Sequence, residues 1–142
     1  MMISYNSQFI DNSDKSYVSK VLKNKKITQG PIVEKFEKNI SNFVKSKYCL
    51  VTNSGTSALY LAIKSLNLKK NSVVIMPAVN FIAAFNVCKI LELNIFLSDV
   101  NPITGLMEPK NFNDCVRKYN LKKINLIINM PMGGNTNNGQ FF

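Results

Sequence analysis

The run Asn53-Ser54-Gly55-Thr56-Ser57 joins a β-rich stretch, Tyr48 to Thr52, to a helix-forming one that begins at Ala58. That order of residue types is what holding a phosphate requires. Small side chains let the backbone approach an anion closely, and the first N–H groups of a helix have no intrahelical acceptor and carry the positive end of its dipole. The same letters also make an ordinary capped helix start, and the run by itself does not choose between the two. A second candidate lies in Met76-Pro77-Ala78-Val79-Asn80-Phe81, where an aromatic ring stands just beyond an apolar strand, at the head of a helix rich in small residues. Phe81 is either a core residue, the usual place of phenylalanine, or an open platform. Cradle and platform together would suit a flat phosphorylated aromatic ligand, held by its anion and stacked through its ring.

Much other chemistry is excluded. The chain has no histidine, which removes Ser-His, Cys-His and histidine general-base schemes and disfavours a metal site. Cys49, Cys88 and Cys115 are far apart with no paired spacing and read as buried thiols. The net charge of +10 comes from 18 basic residues of which only Arg117 is arginine. The lysines are scattered over helical polar faces and loops with no arginine–aromatic stripe, so the excess reads as solvated surface and not as a nucleic-acid interface. No apolar run approaches the roughly 18 residues that a membrane span needs. The start, Met1 to Asn6, lacks both a basic flank and an apolar core, so neither signal nor transit peptide is expected and the cytoplasm is the default location.

The elements that would position the two candidates follow from periodicity. Tyr17, Val18, Val21 and Leu22 recur at helical spacing between Ser13 and Lys26, and Pro31 suits the first turn of a second helix with an apolar face of Ile32, Val33, Phe36, Ile40, Phe43 and Val44. Strands are predicted at 48–52, 72–76, 94–98 and 124–130, with helices from Ala58 to Leu66, Asn80 to Leu91 and Pro109 to Asn120 between them. Strands separated by helical crossovers cannot pair as hairpins, so the expected architecture is α/β: three layers, α/β/α, around a mostly parallel sheet. The continuous apolar runs Val73 to Met76 and Leu126 to Ile128 suit strands covered on both faces. Ligands of such sheets gather at the carboxyl ends of the strands, where both candidate loops emerge. The 142 residues match one domain.

Taken in order, Ile27-Thr28-Gln29-Gly30-Pro31, Glu34 to Phe36, the Asn53 to Leu59 block, Pro77 to Phe81 and Phe96-Leu97-Ser98-Asp99-Val100-Asn101-Pro102 resemble the N-terminal part of the DegT/StrS family, from about Tyr5 to Met130. These are pyridoxal-phosphate-dependent aminotransferases acting on nucleotide-linked keto sugars in surface-polysaccharide biosynthesis. The resemblance implies the N-terminal part of the large domain of the type I aminotransferase fold, with pyridoxal 5'-phosphate as cofactor, a nucleotide-linked keto sugar and glutamate as substrates, and a homodimer as the family's assembly. It implies that Thr56 and Ser57 hold the cofactor phosphate, largely through backbone N–H groups, with Gly55 permitting the turn, and that Phe81 stacks on the pyridine ring. Gln29 and Gly30 fall where the family has an entrance loop, so they are its substrate-binding candidates. Asp99 matches a strand-end turn position.

The family's chemistry also requires a Schiff-base lysine and a carboxylate to keep the pyridine nitrogen protonated. The resemblance places both beyond this chain's last residues, and no lysine here stands in a matching motif, so no catalytic residue is assigned. Residues 1–142 are therefore expected to form a partial large domain, inactive alone and binding pyridoxal 5'-phosphate weakly or not at all, with the 48–52 strand lacking its neighbour and the isolated chain poorly stable or self-associating. The alternative is a non-catalytic phosphate- or nucleotide-binding α/β module, against which stands the absence of a G-x-G-x-x-G fingerprint and of a Walker lysine.

Overall fold

The structure, a computed structural model, describes residues 7–24 and 26–135. They divide into two compact units with the boundary between Val51 and Thr52.

The first unit holds helices α1 (Asn12–Leu22) and α2 (Pro31–Phe43). Asp11 starts α1 with a capping box: its Oδ1 accepts the N–H of Ser13 at 2.7 Å and of Asp14 at 3.1 Å, and Asp14 accepts the N–H of Asp11 at 3.0 Å. The Ser13 hydroxyl, followed by these backbone donors, lowers the Asp11 pKa. Because the folded value is depressed, the cap's contribution is present above the ordinary carboxylate pKa and is lost as pH falls through the folded one. Pro31 occupies the first turn of α2 as its fixed φ predicts. Neither helix buries a residue completely.

The predicted strand at 48–52 does not form. A strand exists only through a ladder, and among the described residues the sheet has no strand from this segment. Its tie to α2 is instead a side-chain bond, the Val51 N–H donating to Glu37 Oε1 at 2.9 Å. Tyr48 and Leu50 remain exposed.

The second unit runs α3 (Gly55–Ser65), β1 (Val73–Pro77), α4 (Ile82–Ile90), β2 (Asn94–Ser98), α5 (Pro109–Lys118) and β3 (Leu126–Ile127), followed by a short 3-10 turn, Met132–Gly134. The sheet order is β2-β1-β3 and both pairings are parallel. As predicted for a doubly covered sheet, β1 is buried from Val74 through Pro77. Its residues alternate between two cores. Val74 and Met76 pack with Ile63 of α3 and with Ala84, Val87 and Cys88 of α4; Ile75 packs on the other face with Met107 and with Cys115 of α5. The three layers expected from the sequence are thus present. β3 is shorter than the predicted 124–130 run, although Asn125 and Ile128 donate to Val73 and Ile75 carbonyls at 2.9 and 3.0 Å and prolong its ladder by a residue at each end.

Cys88 and Cys115 are buried as expected, whereas Cys49 is only partly covered. Burial raises both buried thiols' pKa values, with Lys118 partly opposing the shift at Cys115. Raised folded values mean that this packing stabilises fully below the ordinary thiol pKa and loses its benefit as pH climbs through the folded ones. A thiol-specific disulfide reagent at neutral pH is expected to modify Cys49 at once and Cys88 and Cys115 only at the rate of unfolding. Immediate reaction of all three thiols would contradict the core described above.

Candidate functional site

Helices α3 and α4 begin at one edge of the sheet for a traceable reason. The turn after α3 and the turn after α4 are joined: the Asn71 N–H donates to the Glu92 carbonyl at 2.8 Å and Lys70 pairs with Glu92 at 2.6 Å. Asn94 also donates to the Ser72 carbonyl at 3.0 Å, so both turns lie where β1 and β2 start. An 11-residue helix is about 16 Å long, the length of a five-residue strand. Both helices, running back across the sheet, therefore have their first residues at its carboxyl edge. Gly55 to Ser57 and Phe81 share that edge.

Ser54 is the N-cap of α3, and its Oγ accepts the Ser57 N–H at 3.1 Å. The Ser57 hydroxyl donates to Asn53 Oδ1 at 2.8 Å and lies 3.0 Å from Ser54 Oγ. Thr52 steadies the entry by donating its hydroxyl to the Ser54 carbonyl at 2.8 Å. Among the described residues nothing accepts from the N–H of Gly55 or Thr56, and the Thr56 hydroxyl has no partner. Of the two residues expected to hold a phosphate, Thr56 keeps its N–H and hydroxyl without a partner among the described residues, as Gly55 does its N–H, while the N–H and hydroxyl of Ser57 are engaged within its own loop.

Gly55 is not needed for a turn, since it has no positive φ. A Cβ added to it would meet nothing within 4 Å. Neither backbone conformation nor internal packing demands a glycine here, and the space beside it is open.

Phe81 is the N-cap of α4 and is 71% exposed. Of the two readings open in the sequence, the structure therefore gives the open ring. Beside it lies a cavity of about 260 Å³ lined mainly by apolar side chains of β1, α4 and Leu97. Asp99 serves the turn after β2, its Oδ1 accepting the Val100 N–H at 2.8 Å. Gln29 and Gly30 belong to the other unit. Gln29 is exposed in a left-handed conformation with φ 45°. Gly30 is the buried N-cap of α2, where a Cβ would come within 3.1 Å of the Lys26 carbonyl oxygen. That crowding accounts for the glycine without a ligand.

One polar group at this edge escaped the sequence reading. Asn80 has its Nδ2 sealed from solvent with no hydrogen-bond partner among the described residues. The available signal was a single amide in an apolar loop directly before the ring.

Residues 8–139 match the model of the DegT/DnrJ/EryC1/StrS aminotransferase family. The chain is 33% identical over 135 residues to the UDP-4-amino-4,6-dideoxy-N-acetyl-beta-L-altrosamine transaminase of Campylobacter jejuni (strain 81-176), covering 95% of this chain and 35% of that protein. Its fold is similar to that of Helicobacter pylori PseC, an aminotransferase of pseudaminic acid biosynthesis, with TM-score 0.76 and 23% identity over 89% of this chain and 33% of that one. It is also similar to Bacillus subtilis NtdA with bound pyridoxamine phosphate, with TM-score 0.67 and 30% identity over 75% of this chain and 25% of that one. The chain spans between 23% and 35% of the length of the first curated relatives it matches.

Proposed function

The chain belongs to the DegT/DnrJ/EryC1/StrS aminotransferase family, and from that premise we propose that it is the N-terminal portion of a pyridoxal-phosphate-dependent enzyme that transfers an amino group to a nucleotide-linked keto sugar in surface-polysaccharide biosynthesis. What supports the reading is the pair of N–H groups at Gly55 and Thr56 that have no acceptor among the described residues, with open space beside the Gly55 Cα, at the edge that also presents the exposed Phe81.

These residues fit the cofactor. A phosphate would satisfy the two orphaned donors and the Thr56 hydroxyl and would sit at the positive end of α3. Phe81 would cover one face of the ring and orient it. When bound, the cofactor supplies a ring that accepts the electron pair released as the amino group changes hands. No lysine of this chain is assigned the covalent or proton-moving role. The 142 residues contribute binding and orientation, and purified alone they are expected to show no transamination. Glutamate as amino donor, a homodimer as assembly and sugar contact by Gln29 and Gly30 belong to the same proposal.

Calorimetric titration with pyridoxamine 5'-phosphate, ADP and NAD separates this reading from a nucleotide-binding module. The amine form is chosen because an aldehyde would react with surface lysines. Weak, saturable heat with pyridoxamine 5'-phosphate and none with ADP or NAD is the expected outcome. Tighter binding of either nucleotide would refute the assignment.

A further inference from the structure

Asn80 is the polar residue at the sheet edge for which neither the fold nor the phosphate cradle has a use. It lines the cavity of about 260 Å³ beside Phe81, and the other side chains of that wall, including Met76, Ile82, Phe85 and Leu97, are apolar. None of them can accept a hydrogen bond from Nδ2, which is buried and unpartnered among the described residues. The carboxamide is not spent on the helix either, because α4 starts at Phe81 with no side-chain cap, although asparagine is among the residues best suited to capping. A buried amide donor without a partner destabilises the fold that carries it. Such a group in the lining of an apolar cavity, one residue from an exposed ring, lacks an acceptor that a ligand would supply.

We propose that Asn80 is a positioning residue that donates from Nδ2 to the ring hydroxyl oxygen of the pyridine stacked on Phe81. This deepens, and rests on, the pyridoxal-phosphate reading above. A phosphate held at α3 and a ring laid on phenylalanine fix two points of a flat molecule, which leaves either ring face free to meet the benzyl group. A third, polar point removes that ambiguity. The torsion that sets the plane of a carboxamide has broad, shallow preferences, so Nδ2 turns into the cavity when an acceptor arrives.

The test uses the 15N-labelled 142-residue chain and its Asn80→Leu variant, which replaces the amide by an apolar group of similar size. Each is titrated with inorganic phosphate, with pyridoxamine 5'-phosphate and with the analogue lacking the ring hydroxyl, and the thermal midpoint of each ligand-free protein is measured. Phosphate alone should move the amide resonances of Gly55 and Thr56. Pyridoxamine 5'-phosphate should move those and also the side-chain amide of Asn80. Asn80→Leu should raise the ligand-free midpoint by a few degrees, weaken pyridoxamine 5'-phosphate about tenfold, leave phosphate binding unchanged and abolish the preference over the deoxy analogue. A lowered midpoint would mean that the donor is satisfied inside the fold and would overturn the proposal. So would unchanged affinity for pyridoxamine 5'-phosphate while Gly55 and Thr56 still respond. Silence at Gly55 and Thr56 with both ligands is a different pattern: it removes the cradle, and the role of Asn80 with it.

Discussion

Replacing Ile75 by alanine is expected to destabilise the unit from Thr52 onward by about 2–5 kcal/mol, the usual cost of emptying a fully buried isoleucine site. Ile75 has no exposed surface and sits at the centre of the middle strand, opposite Phe96 of β2 and Ile127 of β3. Its side chain is wedged among Met107, Cys115 and the partly buried Phe112. Strands and α5 hold that space open from both sides, so collapse into it is resisted. Against a total of about 5–15 kcal/mol for an ordinary domain, the loss is large enough to shift a urea midpoint well clear of error. Ile103→Ala is the matching control, since Ile103 is 92% exposed and such a site changes stability by about 0.5 kcal/mol or less. Equal midpoints for the two variants would show that the sheet is not the core of this unit.

Gly55→Glu is expected to separate stability from binding. The added Cβ enters open space and the backbone at this position is not left-handed, so no strain accompanies it. A carboxylate in the first turn is favourable to the helix dipole by about 0.3–1 kcal/mol, and a helix former replaces glycine. The fold should therefore be as stable as before or slightly more so. Phosphate binding should fall about a hundredfold, because two like unit charges about 6 Å apart repel by about 2.8 kcal/mol at an effective dielectric near 20. Gly55→Ala, which adds bulk without charge, should fall between the two. Denaturation midpoints together with phosphate titrations decide it: unchanged affinity in Gly55→Glu would place the anion elsewhere.

The parts of the molecule legible from sequence were those whose local chemistry decides their structure. Pro31 pinned the start of α2, and the unbroken apolar run of β1 announced a strand covered on both faces. Asn94 to Ser98 formed as predicted because a fully made neighbour, β1, pairs with it along its whole length. Tyr48 to Thr52 has equally good strand residues, yet composition cannot create a partner, and Glu37 takes the Val51 N–H instead. At the site, residue types marked Gly55, Thr56 and Phe81 as candidates, and the structure brings them to one edge. Hydrogen-bond partition was invisible, because whether Ser57 or Thr56 keeps a free N–H depends on which one Ser54 Oγ captures. The family resemblance gives Gly55 a turn role, whereas its φ is not positive and the open space beside the missing Cβ is the property the structure shows. Asn80 was passed over because its orphaned amide becomes visible only once the apolar wall around it is built.

In the proposed function, the start of α3 and the ring at the start of α4 hold one phosphorylated heterocycle between them. A crystal structure of this chain soaked with pyridoxamine 5'-phosphate tests it most directly. Phosphate oxygens should lie about 2.7–3.2 Å from the nitrogens of Gly55 and Thr56, with the pyridine stacked on Phe81. A phosphate bound to surface lysines, or a ring that leaves Phe81 uncovered, would contradict it.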